Sequence, residues 1–289
     1  MQFEAAIKLS PEFAPAFSGL SDAYLWAGYN EGFLTATEAR PKAEATAKRA
    51  VELDDNSAEA HTSLAVFKLF YEYDLAGCDR EFRRALMLNP NYAFAHDQFG
   101  MALAFWGGFD EAIAEGKRAI ELDPLSPQVL IDAAMPFLFQ RNPAPAKELA
   151  RKAAELDPMY FFPVMLEGWT DLEVGKFREA IPALKKAKAM ESPPFVTAFL
   201  TFGAAGDRQA AMRELAKLEK ISRNANILPF NLALVYLGLG DRARSLDNLE
   251  RALAADSQMM PWIGRDTIFD AIRSEPRFVA LLNQMGVNR

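Results

Sequence analysis

The chain has 289 residues, 51% of them apolar, with a net charge of −7 and one cysteine. That charge, with no basic run long enough to track a phosphate backbone, argues against nucleic acid as a partner. The lone thiol, Cys78, excludes an internal disulfide and reads as a small buried hydrophobe, and no uninterrupted apolar run reaches the ~20 residues that a membrane helix needs.

Taken in order, the chain reads as a series of helical hairpins. Residues 1–13, MQFEAAIKLSPEF, resemble the second helix of a hairpin whose first helix is missing; Phe3 and Ile7 would stay partly bare. This predicts a chain that starts inside an array and is part of a longer protein, with a short natural cap as the alternative. Residues 14–57 place Phe17, Leu20, Ser21 and Tyr24 on a first helix and Ala43, Ala47 and Ala50 on a second. This unit is ten residues longer than its neighbours, with the excess in the turn, where Thr37 would cap the second helix and Pro41 would fall in its first turn. Residues 58–92 carry one extra residue, with His61, Leu64 and Ala65 on one helix and Cys78, Phe82 and Ala85 on the other.

Residues 93–126 are the clearest unit. A helix from Ala93 to Trp106 is broken by Gly107-Gly108, and a second helix, N-capped by Asp110, stops at Asp123-Pro124. Gly100, Ala112 and Ala119 are small where two antiparallel helices must approach. In residues 127–160, Pro136 predicts a kink in the first helix. Residues 161–191 and 192–225 keep the rhythm weakly, and residues 226–257 recover it with Leu232, Ala233, Tyr236, Gly240, Leu249 and Ala252. Residues 258–289 read as a short helix, a Ser-Glu-Pro break and a last amphipathic helix, whose Phe269, Ile272, Phe278, Leu281 and Leu282 would cap the array.

Pro90, Pro124 and Pro158 are 34 residues apart, with small residues at fixed offsets before each, and the helix ends repeat as words: KRAVELDD, RRALMLNP, KRAIELDP, RKAAELDP, ERALAADS. This period and signature resemble the tetratricopeptide repeat (TPR). The resemblance implies an all-α fold: a right-handed superhelix of antiparallel helix pairs, an α-solenoid, over residues 1–257, with a C-terminal helical cap over 258–289. The segments GLSDAYLWAG, AEAHTSLAVFKLFYEYDLAGCDREFRRALMLNP and FDAIRSEPRFVALLNQMGV are also similar to the C-terminal repeat regions of bacterial winged-helix regulators, adenylate cyclases and serine/threonine kinases. They imply the regulatory or sensory part of a larger signalling protein.

In such arrays the first helices line the concave face. By that geometry Trp26, Phe70, Met101, Phe105, Ile131, Met135, Phe139, Met165 and Trp169 form an apolar groove for a protein or peptide partner, an apolar helix or extended segment. The alternative is a tightly wound superhelix in which these side chains bury one another. The carboxylate-gripping subclass is disfavoured, because Ser18, Asp22, Thr62, Val66, Asp97 and Met101 stand where its basic and amide residues would be. His61 and His96, at matching positions, suit helix packing better than zinc, which needs three or four convergent ligands.

Glu167 and Asp171 depart from the repeat pattern. Pairing with Lys147 or Arg151 is the expected role, and an enzyme centred on Glu167, Asp171 and Glu173 is the least favoured reading. No phosphate loop, nucleophile elbow or H-E-x-x-H helix occurs, so no catalytic residue, metal or cofactor is expected. Self-assembly into a homo-oligomer is the alternative to partner binding. No signal peptide is visible, which predicts a cytoplasmic location, or the periplasmic side of a membrane-anchored parent protein.

Overall fold

The computed structural model describes residues 2–29, 34–190, 194–203, 206–222 and 229–287, and every regular element among them is helical. Helix α1 (Gln2–Leu9) lies against α2 (Ala14–Tyr29), and the helices then come in antiparallel pairs. These are α2 with α3 (Ala36–Leu53), α4 (Ala58–Phe67) with α5 (Leu75–Leu88), α6 (Ala93–Trp106) with α7 (Phe109–Leu122), and α8 (Pro127–Asp132) plus α9 (Met135–Phe139) with α10 (Pro143–Leu156). They continue as α11 (Phe161–Glu173) with α12 (Phe177–Met190), α13 (Pro194–Gly203) with α14 (Arg208–Ser222), and α15 (Pro229–Gly238) with α16 (Arg242–Ala254). Two short 3-10 turns, Met260–Gly264 and Thr267–Ile272, lead to α17 (Pro276–Gln284).

The turns repeat as strictly as the helices. Tyr73, Gly107, Arg141 and Gly175, each 34 residues after the last, hold left-handed backbone with φ of 52°, 85°, 59° and 75°. At Gly107 this lets two amides return to the helix end they have just left: Gly107 N–H donates to Ala104 O (3.2 Å) and Gly108 N–H to Leu103 O (2.9 Å). His61 and His96 are 35 apart while Tyr73 and Gly107 are 34 apart, so the extra residue of the second unit lies between His61 and Tyr73. There, Lys68–Glu72 form a π-turn that takes up the insertion and leaves the following turn in phase.

Small residues set how closely paired helices approach. A Cβ on Gly100 would lie 3.2 Å from Ala112 O and 3.4 Å from Gly116 N, and one on Gly168, two periods on, would lie 2.7 Å from the Leu184 side chain. Ala112 and Ala119 are fully buried in the seam. Hydroxyls tie some pairs together as well: Ser21 Oγ donates to Ala43 O (3.0 Å) and Ser245 Oγ to Ala233 O (2.9 Å).

Local details differ from the sequence reading at three points. The N-cap of α3 is Thr35, not Thr37; it closes a capping box with Glu38, whose carboxylate returns to the Thr35 N–H (2.9 Å). Pro41 therefore falls in the second turn of α3 rather than the first. Asp110 is not a cap, because α7 begins at Phe109; it lies in the first turn, where its charge opposes the helix dipole's positive end. The kink expected at Pro136 is a full break between α8 and α9, with Pro136 in the first turn of α9, where its missing N–H costs little.

The C-terminal segment does more than cover an end. Phe269, Ile272, Phe278, Leu281 and Leu282 are buried as a cap should be, with Phe269 packed on Phe230 and Phe278. Residues 256–265, however, run back across the concave face to the first hairpins. Asp256 pairs with Arg40, Gln258 Nε2 donates to Leu25 O (3.1 Å), Tyr73 Oη donates to Ser257 O (3.3 Å), and Arg265 Nη2 donates to Trp106 O (2.8 Å).

Candidate functional site

The first helices of the pairs present a run of aromatic rings to the concave side. Trp26 packs on Phe70 (6.3 Å between centroids), Phe70 on Phe105 (6.5 Å) and Phe105 on Phe139 (6.1 Å). Trp262, from the returning segment, enters this run 5.2 Å from Phe105, 5.9 Å from Phe139 and 5.4 Å from Trp169. Trp169 in turn stacks on Phe199 at 4.9 Å.

The residues expected to form an open groove are therefore buried: Met101 is 6% exposed, Phe105 1%, Met135 2% and Trp169 3%. An open surface along which a helix could lie is not what these side chains make, because Trp262 and its neighbours already cover part of it. What is left is a partly open chamber of about 430 Å³, mostly apolar, inside the superhelix. Trp26, Phe70, Met101, Ile131, Met135, Met165 and Trp169 all line it; Phe105 and Phe139 stand behind Trp262 instead. The mouth is marked by exposed Asp123 and Gln128 and by half-buried Ala93, Phe94 and Phe162.

The charged side chains in the chamber wall are all acidic, and the other polar ones are amides and a hydroxyl. Asp97 on α6 and Asp132 on α8 bring their carboxyl groups next to each other. Burial pushes Asp97 up to about 6 and Asp132 well above the usual carboxylate range, with the charge of Asp97 adding to the latter. Gln98 Nε2 donates to Asp97 (2.9 Å) and Gln128 Nε2 to both oxygens of Asp132 (2.9 Å), while Tyr160 donates its hydroxyl to Gln128.

A second pair of neighbouring carboxyls is formed by the wall residue Asp266 and Glu173, whose buried Oε2 has no hydrogen-bond partner. Burial, then the charge of Asp266, raises Glu173 to about 10, and burial raises Asp266 to about 6. Trp169 Nε1 donates to Glu173 Oε1 (3.1 Å), and Asp266 accepts from Ile268 N–H (2.9 Å) as the cap of the second 3-10 turn. Asn231 on α15, 2% exposed, also lines the chamber, and its Oδ1 has no hydrogen-bond partner; nor does Trp262 Nε1. Among the described residues no Lys, Arg or His lines the chamber.

Other residues singled out in the sequence take structural places. Asp171 pairs with Lys147 (2.6 Å), Arg151 pairs instead with Glu155 in its own helix (2.5 Å), and Glu167 is exposed. The trio Glu167, Asp171 and Glu173 therefore does not converge. His61 and His96 make the same clamp one unit apart. His61 Nδ1 meets Glu81 (2.6 Å) and its Nε2 meets Asp55 O (3.0 Å); His96 Nδ1 meets Glu115 (2.5 Å) and its Nε2 meets Pro90 O (3.0 Å). Each ring thus ties a first helix to its partner and to the preceding loop, and the hydrogen bond to Glu81 holds His61 above the usual imidazole range. Among the described residues no group of three or more His, Cys, Asp or Glu could hold a metal ion. Cys78 is fully buried, which pushes its thiol up and leaves it inert.

Sequence reasoning missed the chamber residues outside the repeat positions: Met259 and Trp262 from the returning segment, Asp266 just beyond it, and Asp132 and Asn231 from the helices. The signal that could have found the first group is the word MMPWIG, an apolar run that fits no repeat position yet needs burying.

No protein-family model matches the chain, and no curated protein does. Solved structures do resemble it. Cut9, solved in a hetero-tetramer with Hcn1, superposes with a TM-score of 0.62 at 15% identity, over 98% of this chain and 51% of that one. A tetratricopeptide-repeat protein of Parabacteroides merdae gives 0.59 at 11% identity, over 93% and 98%. PilF of Pseudomonas aeruginosa gives 0.54 at 21% identity, over 72% and 91%. Together with the all-helical pairs and the 34-residue turn spacing, these likenesses identify the chain's fold as a tetratricopeptide-repeat solenoid.

Proposed function

We propose that this chain is a non-catalytic recognition module, the regulatory or sensory part of a larger bacterial signalling protein, and that its concave chamber receives an apolar part of a protein or peptide partner. The observation that carries this reading is the chamber itself: a ligand-sized, largely apolar space built from the side chains that the repeat geometry turns inward. A partly open space of about 430 Å³ suits a cluster of apolar side chains from such a partner.

Uptake of the neutral apolar dye N-phenyl-1-naphthylamine tests it. One dye per chain should bind saturably, with quenching of tryptophan fluorescence, and short apolar peptides selected on the purified chain should displace it. Ala93→Trp, at the half-buried mouth, should abolish uptake without lowering the melting temperature. No saturable uptake, or peptides that bind without displacing the dye, contradicts the proposal.

Self-assembly has one observation in its favour: Phe3 (42%), Leu9 (89%) and Phe13 (48%) are exposed together at the α1 end. Light scattering across a concentration series decides it, since a concentration-independent monomer removes it.

A further inference from the structure

We propose that the ligand of the chamber is an organic ammonium ion carried on an apolar body, recognised by aromatic faces and by the acceptor groups of Asp97, Asp132, Asp266 and Asn231. The inference rests on the reading of the chamber as a recognition site and names the chemistry of what enters it.

Three independent features point the same way. The first is shape and lining. Trp26, Phe70, Phe94, Phe162, Trp169 and Trp262 bring six aromatic side chains to one space of about 430 Å³. Aromatic faces carry negative quadrupole potential, and several around one point form the site that a desolvated cation prefers.

The second feature is the sign of the polar groups. The wall carries four carboxyl groups, Asp97, Asp123, Asp132 and Asp266, and no basic side chain among the described residues. Burying carboxyls beside one another without a cation is costly, and a folded protein keeps such an arrangement where it serves a site. Three of them sit beside another carboxyl, Asp97 next to Asp132 and Asp266 next to Glu173, while Asp123 is exposed at the mouth. A pair of this kind holds a proton in place of a counter-ion. An arriving ammonium group can take over that role: the cation enters, the pair ionises further, and the proton leaves to solvent.

The third is Asn231. It is 2% exposed, it lines the chamber, and its Oδ1 accepts from nothing. A buried acceptor without a donor is completed by a ligand N–H. Asn231 thus asks for a donor and the wall carboxyls ask for its positive charge, and an anion or a plain hydrocarbon supplies neither. An inorganic cation is a poor fit too, since no group of three or more ligating side chains forms among the described residues and most of the wall is apolar.

The test uses three probes of one shape on the intact chain: tryptamine, its neutral counterpart tryptophol, and indole-3-acetate. By calorimetry, tryptamine should bind at one site about tenfold or more tighter than tryptophol, with indole-3-acetate weaker still. Its binding enthalpy should change with the ionisation enthalpy of the buffer, reporting the released proton. Asp97→Asn, checked for folding by circular dichroism, should bring tryptamine down toward tryptophol. Asn231→Leu should weaken tryptamine and tryptophol alike, since each brings a donor.

Tryptophol or indole-3-acetate binding as tightly as tryptamine overturns the ammonium inference while leaving the chamber reading intact. So does binding of none of the three when the neutral dye is still taken up. Failure of all three and of the dye overturns both. A lysine-containing apolar tripeptide forms the last arm: it should bind about tenfold or more tighter than its norleucine counterpart, and equal binding of the two overturns the inference.

Discussion

The helices that face the chamber and the helices that face outward are built on opposite rules. In α7 only Ala112, Gly116 and Ala119 are buried, one narrow stripe; in α10 it is Ala146, Ala150 and Ala153. In α6 every residue from Ala95 to Phe105 is buried, charged and amide side chains included. An outward helix meets the rest of the molecule along one line. An inward helix is enclosed by its partner, by the next pair and, at Phe105, by Trp262. The lesson is that the outer layer sets the geometry of the stack, whereas the inner layer carries the buried polar groups.

Removing what closes the inner layer should produce the largest effect. Trp262→Ala takes a ring from contact with Phe105, Phe139 and Trp169 and should cost about 3 kcal/mol in urea denaturation, while enlarging the chamber so that dye uptake persists. A loss under about 0.5 kcal/mol would mean that the returning segment is not part of the folded core.

Next comes Asp97→Asn, which should stabilise the fold by about 1–3 kcal/mol at pH 7.5. Asp97 is held at about 6, above its ordinary 3.8, so the folded state retains a proton that the unfolded chain gives up. Its stability contribution is complete below pH 3.8 and is lost as pH rises through about 6. The advantage of the Asn variant should thus vanish near pH 3.5, and melts at the two pH values measure it. An equal gain at both would place the cause elsewhere than in the buried carboxyl.

The smallest effect belongs to exposed side chains away from the stripe, Met87 on α5 and Met159 in the turn after α10. Met87→Ser and Met159→Ser, at side chains 75% and 77% exposed, should leave stability within about 0.5 kcal/mol. A larger loss from either would reveal that this surface is covered in solution.

The same contrast explains what could be read in the sequence. The narrow alanine stripes of α7 and α10 recur with a fixed interval, so the repeat, the helix ends and the turns were legible; α6 and α7 came out within a residue or two. Inward helices buried on all sides have little periodicity to read. That is why Asp97 could be placed on the concave side but its closeness to Asp132 could not: the break at Ala133–Ala134 that positions Asp132 depends on how Pro136 is accommodated. The crossing of residues 256–265 was illegible for another reason. Its partners, Leu25, Arg40 and Tyr73, are more than 180 residues away in the chain, and no local pattern encodes a contact at that range.

That crossing changes how the molecule should come apart. A stack whose units touch only their neighbours peels open from either end, one hairpin at a time. Here the tail is moored to the opening hairpin at Leu25 and Arg40, so the coil is latched into a loop and its pitch is held. Loss of the last hairpin must first release the mooring, and with it the whole spring is free to stretch. Amides in α2 and α16 should therefore exchange with solvent in concert, as members of one cooperative unit rather than as two fraying ends.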